Sequence, residues 1–253
     1  MIGVELLDDP HADPSAVRHE LRDIARLNAL FGGTHAVVRE LEPLFERRKR
    51  ETGNRTRETW TLLDVGAGSG DIARAAVLAA RRHGVTLRPV AVELSRTVAH
   101  EAHATGLAVL VADGGALPIR PRSVDVVLAS QVLHHLPHDV AVRWITSFDR
   151  LARRAVVLAD LRRSGLAMAG VWLASFPLGF RATTRRDAVV SLRRGYTREQ
   201  FEAMLREAGV RAVGRYRPGF RIVASWETSD VRPQTSDIRR PTAESSERLT
   251  SDV

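Results

Sequence analysis

The 253-residue chain contains no cysteine. That absence excludes disulfide bridges, thiolate metal sites and every mechanism built on a cysteine nucleophile. Lysine is almost missing as well: Lys49 is the only one, so nearly all of the 38 basic residues are arginines. No apolar run approaches the ~20 residues needed to span a bilayer, so no transmembrane segment is expected. Met1 to Pro14 is acidic and lacks the basic n-region and long apolar stretch of a secretory signal, which makes a cytoplasmic location the expectation. A net charge of +8 would suit a nucleic-acid partner, because clustered basic residues release counterions from phosphates. Here the arginines are dispersed in pairs such as Arg81-Arg82, Arg153-Arg154 and Arg193-Arg194, the pattern of a solvated surface. A nucleic-acid partner is therefore not expected.

The length fits one α/β domain with extensions. Val17, Leu21, Ile24, Asn28 and Phe31 recur at alternating spacings of four and three, the stripe of an amphipathic helix with one polar member. Gly32-Gly33 end that helix, and Thr34 is placed to cap a second through Val37, Leu41 and Leu44. The Arg-rich stretch from Arg47 to Arg57 reads as a solvated linker, so residues 1–57 form a helical cap and linker. From Thr59 short apolar runs alternate with helices, as expected of parallel strands buried on both faces. The predicted strands are Thr61–Val65, Arg88–Val92, Ala108–Val111, Val124–Ala129 and Ala155–Ala159, with helices over Ser69–Arg82, Ser95–Ala104 and Asp139–Leu151. A hairpin pairs Arg211–Tyr216 with Phe220–Trp226 across the turn dipeptide Pro218-Gly219. Residues 58–228 thus make the domain, and the polar residues 229–253 are too poor in apolar side chains to offset chain ordering, so a disordered tail is expected.

The richest stretch is Leu62-Leu63-Asp64-Val65-Gly66-Ala67-Gly68-Ser69-Gly70-Asp71, a buried strand running into a glycine turn and then a helix. Such a turn lets a ligand approach the backbone at a helix N-terminus. The spacing is G-x-G-x-G; Asp71 stands where a dinucleotide fingerprint requires its third glycine. Glu93 follows the second apolar run, where doubly wound folds place a carboxylate on ribose hydroxyls. Asp113 follows the third run, where a carboxylate can take an adenine amino group. In these motifs the sequence resembles the class I S-adenosylmethionine methyltransferases, over roughly Trp60 to Trp226. Val111-Ala112-Asp113-Gly114-Gly115-Ala116-Leu117-Pro118 and Ser123-Val124-Asp125-Val126-Val127 strengthen the likeness. The resemblance implies a doubly wound, Rossmann-like sheet of seven strands, the last antiparallel, with S-adenosylmethionine as cofactor. It implies that Asp113 and Gly114 hold the adenine while Asp64, Gly66 and Gly68 shape the methionine pocket; Gly70, Leu94 and Ser130 complete the set.

Ligands of open α/β sheets gather beyond the carboxyl ends of the strands. The fourth strand delivers Ser130-Gln131-Val132-Leu133-His134-His135 to that edge, and the fifth delivers Asp160-Leu161-Arg162-Arg163. Methyl transfer needs an aligned acceptor and, where its proton is still attached, a base, a role histidine suits. His134, His135 and Asp160 are the catalytic candidates; for the histidines base and pocket-shaping roles are both open, and for Asp160 an ion pair with Arg162 or Arg163 is the alternative. The apolar segment Ser164 to Phe180, with Trp172, reads as a lid or substrate wall. Arg162, Arg185, Tyr196 and, from the cap, Asn28 are candidate acceptor contacts. Thr197-Arg198-Glu199-Gln200 is a capping box for a helix through Phe201 and Leu205. No metal is required, since no His/Asp/Glu group has ligand spacing.

The region from Asp64 to Leu136 is similar to ubiquinone and menaquinone methyltransferases. Ala25-Arg26-Leu27-Asn28 with Gly32-Gly33, Asp160-Leu161-Arg162-Arg163-Ser164, and Ser191-Leu192-Arg193-Arg194-Gly195-Tyr196-Thr197 resemble bacterial methyltransferases associated with type III polyketide synthases. These likenesses imply a small, largely apolar phenolic or quinol-like acceptor, methylated on oxygen or carbon. An RNA ribose methyltransferase is one alternative. Base methylation is disfavoured, because Ser130-Gln131-Val132-Leu133 is unlike the Asn/Asp-Pro-Pro-aromatic motif of amine methylation and cytosine C5 chemistry needs a cysteine. A non-catalytic cofactor-binding protein is the other alternative, and it would need no apolar acceptor pocket.

Overall fold

The computed structural model describes residues 5–9, 11–52 and 58–228. Its strands are β1 (Glu58–Val65), β2 (Val85–Glu93), β3 (Ala108–Val111), β4 (Val124–Ser130), β5 (Ala152–Leu161), β6 (Arg215–Arg217) and β7 (Arg221–Glu227). The helices are α1 (Pro14–Leu30), α2 (Gly33–Thr52), α3 (Asp71–Arg82), α4 (Arg96–Ala104), α5 (His138–Leu151), α6 (Gly165–Ala174), α7 (Ala182–Arg194) and α8 (Arg198–Glu207). The seven strands form one sheet in the order β3-β2-β1-β4-β5-β7-β6, parallel throughout except for β7. This is the doubly wound, Rossmann-like sheet of seven strands that the resemblance implies.

Side chains alternate across a pleated strand, so the buried runs must feed two cores. Leu63, Val65, Val127, Ala129, Val156, Leu158 and Ile222 point into one, filled by Trp144, Ile145 and Phe148 of α5 and Phe201, Met204 and Leu205 of α8. Trp60, Leu62, Val126, Leu128, Val157, Ala159 and Val223 point into the other, filled by Val37, Leu41 and Phe45 of α2 and Ile72, Ala73 and Ala76 of α3. α2 is therefore a layer of the domain. Only α1 caps the sheet's edge.

Several bounds differ from expectation for physical reasons. α2 continues through Arg47 to Thr52 because Arg48 is buried and pairs with Glu58 at 2.8 Å, so this stretch is no solvated linker. Thr34 lies inside the first turn, and α2 begins at Gly33. β5 is longer than Ala155–Ala159 because β4 pairs with Ala152 and β7 pairs as far as Leu161. β6 shrinks to Arg215–Arg217, since Gly214 N–H is taken by the Glu202 carboxylate. The capping box at Thr197 and Gln200 forms as read. Residues 53–57 and the predicted tail, 229–253, lie outside the described residues.

The β6–β7 turn rests on the α1–α2 turn, backbone against backbone. Gly219 has φ 77°, and a Cβ there would fall on the Phe31 carbonyl. Gly219→Ala is expected to lose about 1–2 kcal/mol for the left-handed backbone alone, and more for the clash. Gly84→Ala is the control, since Gly84 has φ 75° and nothing within 4 Å of an added Cβ. Denaturant unfolding that showed equal losses would refute this close packing.

Candidate active site

Beyond the carboxyl ends of β1, β4 and β5 the chain encloses a cavity of about 290 Å³. The glycine turn forms its floor. Gly66, Gly68 and Gly70 have φ of 74°, 58° and 71°, a succession that only glycine adopts without strain. The Glu93 carboxylate reaches across from β2 to accept the Gly68 N–H at 2.5 Å, and burial raises its pKa to about 7. Asp64 is 2% exposed, and its pKa is pushed up to about 8 by burial and then by Glu93 and Asp71.

The cap contributes Asn28, whose amide bridges the two sides. Its Nδ2 donates to Asp71 at 3.1 Å, and its Oδ1 accepts from Gln131 Nε2 at 2.6 Å. Gln131 has φ 57°, a left-handed conformation uncommon outside glycine and a mark of a functional turn. The rest of the roof comes from Leu21, Ile24, Leu27 and Phe31 around α1, Ala167, Gly170 and Val171 of α6, and Thr184, Asp187, Ser191 and Leu192 of α7.

At the far side stands a buried His–Asp pair. His134 Nδ1 and Asp160 Oδ1 are 2.7 Å apart, and the Asp160 carboxylate also accepts the backbone N–H groups of His134 and Leu161. His134 Nε2 has no partner among the described residues. Arg162 and Arg163 do not pair with Asp160: Arg162 stacks on Tyr216 at 4.1 Å and Arg163 donates to the Arg193 carbonyl. His135 faces Asp8 at 2.8 Å. Burial opposes its charging, but the hydrogen bond to Asp8 and the nearby carboxylates of Glu5 and Asp160 hold its pKa above the ordinary range.

Of the residues singled out from the sequence, the cavity wall gathers Asn28, Asp64, Gly66, Gly68, Ser130, His134 and His135, with Asp160 directly behind His134. Glu93 and Gly70 support the turn from outside it. Leu94 is 73% exposed, and the Asp113 carboxylate caps Gly115 N–H on the open edge past β3, with Gly114 buried against Trp144. Arg162, Trp172, Arg185 and Tyr196 are not on the wall: Trp172 is 48% exposed, Arg185 stacks on Phe176, and Tyr196 packs on Phe201.

Sequence reasoning missed Glu5, Glu20, Gln131, Thr184, Asp187 and Arg221, all of which line the cavity. Most come from separate elements and carry no local motif; Gln131 alone had a signal, its place directly after the β4 tip. The fold also brings Glu5 to His134 and His135, with one ligand atom of each within 4.8 Å of the others. Arg194 donates to Glu5 at 3.1 Å and lies 3.2 Å from His135 Nδ1, so a guanidinium already supplies the positive charge there.

Residues 63–159 match a protein family described as a methyltransferase domain. No curated protein matches the sequence. Among solved structures, the fold is similar to a SAM-dependent methyltransferase from Aquifex aeolicus, with TM-score 0.52 and 16% identity, over 86% of this chain and 99% of that one. It is similar to the mitomycin 7-O-methyltransferase, with TM-score 0.57 and 20% identity, over 89% and 61% of the two chains. Human N-acetylserotonin methyltransferase in complex with SAM gives TM-score 0.56 and 12% identity, over 84% and 56%. Residues 63–159 thus match a methyltransferase domain, and the fold around them is that of solved SAM-dependent methyltransferases.

Proposed function

We propose that the enzyme methylates a hydroxyl of a small, largely apolar phenolic or quinol-like acceptor, with His134 as base. The observation that carries this reading is His134, a residue of the mainly apolar cavity above the glycine turn, whose buried Nε2 has no partner among the described residues. The buried orphan atoms Asp64 Oδ2 and Ser130 Oγ on the same wall fit a polar cofactor, because buried polar groups are retained where a partner arrives.

When bound, S-adenosylmethionine supplies an electrophilic methyl group on a sulfonium. Glu93 would accept hydrogen bonds from the ribose hydroxyls, Asp113 and Gly114 would flank the adenine, and Asp64 would hold the methionine ammonium. The Asp160 carboxylate holds His134 by Nδ1–H, which leaves the Nε2 lone pair to take the proton of the acceptor hydroxyl. His135, whose pKa the Asp8 hydrogen bond and the Glu5 carboxylate raise, lies beside His134 on the wall. A non-catalytic role leaves the His134–Asp160 pair without purpose, and a cavity of about 290 Å³ is small for an RNA strand. The finer assignment, an enzyme of polyketide-type secondary metabolism, rests on the motif likenesses around Asn28, Asp160 and Tyr196, and a cytoplasmic site on the sequence reading above.

Three predictions follow from this geometry. His134→Gln and Asp160→Asn should lower kcat by about 10²–10⁴ while the affinity for S-adenosylhomocysteine, measured calorimetrically, stays unchanged; equal turnover in both variants would remove the base from the mechanism. Glu93→Gln should weaken binding of the same ligand by about tenfold or more, since charged hydrogen bonds to two hydroxyls become neutral ones; unaltered affinity would sink that assignment.

The third concerns pH. In the folded chain Asp64, Glu93 and Glu20 hold protons to about pH 8, 7 and 7 respectively, whereas unfolded carboxyls release theirs near pH 4. The folded state thus binds more protons between these limits, and the ligand-free melting temperature should fall as pH rises from about 5 to 8. His135, with its raised pKa, acts in the same direction. Bound S-adenosylmethionine favours ionised Glu93 and Asp64, so its stabilising shift should grow over the same window. Thermal melts with a shift that shrinks toward pH 8 would contradict these contacts.

A further inference from the structure

Arg221 opens β7 at the register of Leu161, directly after the left-handed Phe220. It is 5% exposed, it lines the cavity, and among the described residues its guanidinium has no hydrogen-bond or ion-pair partner. The residues that follow it, Ile222, Val223 and Ala224, are fully buried hydrophobics, so an apolar side chain would suit the strand. Burying a cation without a partner costs several kcal/mol.

The cavity's own acids do not supply that partner. Asp160 acts on Arg221 only from beyond ion-pair distance, and its oxygens accept from His134 and Leu161. Glu5 is held by Ser191 and Arg194, Glu20 by Thr184, Asp71 by Asn28 and Ser69, and Asp187 by the Leu6 N–H. Burial lowers the Arg221 pKa to about 10, which leaves it charged at neutral pH.

We propose that Arg221 is the receptor for an oxyanion of the ligand that fills this cavity: a carboxylate, or an acidic phenol or enol in its ionised form. A guanidinium presents paired donors that match the two oxygens of a carboxylate. The oxyanion has two possible sources, the acceptor and the methionine carboxylate of the cofactor. The sheet order favours the acceptor, because β7 lies beyond β4 and β5 from β1, whose tip carries the glycine turn. The acceptor is then an acidic aromatic, anchored at Arg221 through one oxygen while another is presented to His134. This inference rests on reading the cavity as the acceptor site.

The test compares the wild-type protein with Arg221→Met and Arg221→Lys. Each is titrated calorimetrically with S-adenosylhomocysteine and then, at saturation, with salicylate and with salicylamide, its uncharged counterpart. Wild type should prefer salicylate by about tenfold or more, Arg221→Met should lose the preference, and Arg221→Lys should keep part of it. A merely structural arginine would not discriminate between the two probes. A tenfold fall in S-adenosylhomocysteine affinity in Arg221→Met, with salicylate unaffected, would assign the receptor to the cofactor's carboxylate. No change in either titration, or no preference in the wild type with unchanged cofactor affinity in the variant, overturns the proposal. Absence of S-adenosylhomocysteine binding in the wild type would instead overturn the reading of the site itself. Removal of an unpaired buried charge should leave the melting temperature of Arg221→Met at or above wild type; should that variant fail to fold, Arg221→Lys carries the comparison.

Discussion

One buried carboxylate organises the side of the cavity at the ends of β4 and β5. Asp160, 1% exposed at the end of β5, accepts from the His134 ring, the His134 backbone and the Leu161 backbone. These bonds tie the short helical turn after β4 to the last residues of β5, across strands that the sheet already pairs. A carboxylate in this setting is costly unless its lone pairs are filled. The three donors fill them, and the nearby guanidinium of Arg221 supplies compensating charge from a distance. Without Asp160 the imidazole would have neither a fixed tautomer nor a fixed direction.

The cofactor half follows an opposite rule. There the acids are kept close together and under-satisfied: Asp64 beside Glu93 and Asp71, with Asp64 Oδ2 bare. Burial raises the pKa of both Asp64 and Glu93, and the charges of Glu93 and Asp71 raise that of Asp64 further, which stores free energy that a ligand with donors and positive charge can release. The two halves share a roof rather than a wall. α1, α6 and α7 close over both, and the Asn28 amide joins Gln131 on the acceptor side to Asp71 on the cofactor side. The roof is fastened by side chains, among them Glu20 and Asp23 to Thr184, and Glu5 to Ser191 and Arg194.

What could be read from the sequence divides along the same line. The glycine turn, Glu93 and the strand alternation are local patterns, each enforced by one element's own geometry, whereas the order β3-β2-β1-β4-β5-β7-β6 comes from the structure. His134 and Asp160 were legible because both follow apolar runs that had to be strands. Arg221, Glu20, Thr184 and Glu5 were not, because their meaning arises only where α1, α7, β7 and the N-terminal segment converge, and nothing within a single segment marks that meeting. The acceptor contacts expected at Trp172, Arg185 and Tyr196 failed for a related reason. They belong to segments that do border the cavity, but Trp172 turns outward, Arg185 stacks on Phe176 and Tyr196 packs into the core filled by α5 and α8, while Val171 and Ser191 line the cavity.

The surplus of arginine over lysine is explained by the packing, with no nucleic acid needed. Arg215 and Arg217 converge on the buried Glu40, Arg153 and Arg154 on the buried Asp125, and Arg48 on Glu58. Arg26, Arg154, Arg162, Arg185 and Arg198 lie over the rings of Phe180, Trp60, Tyr216, Phe176 and Tyr216. A planar fork can bridge two oxygens and stack on a ring at once, as Arg154 does between Asp125 and Trp60; an ammonium can do neither as well. In a chain with so few aromatics and no cysteine, guanidinium contacts supply cross-links that larger side chains provide elsewhere. The net positive charge is then largely a by-product of how the domain is fastened. Arg221 stands apart from this use: it is fully inside, it stacks on nothing, and the structure gives it no acid of its own. The other buried arginine among the described residues, Arg48, pairs with Glu58, whereas Arg221 is left open at the cavity.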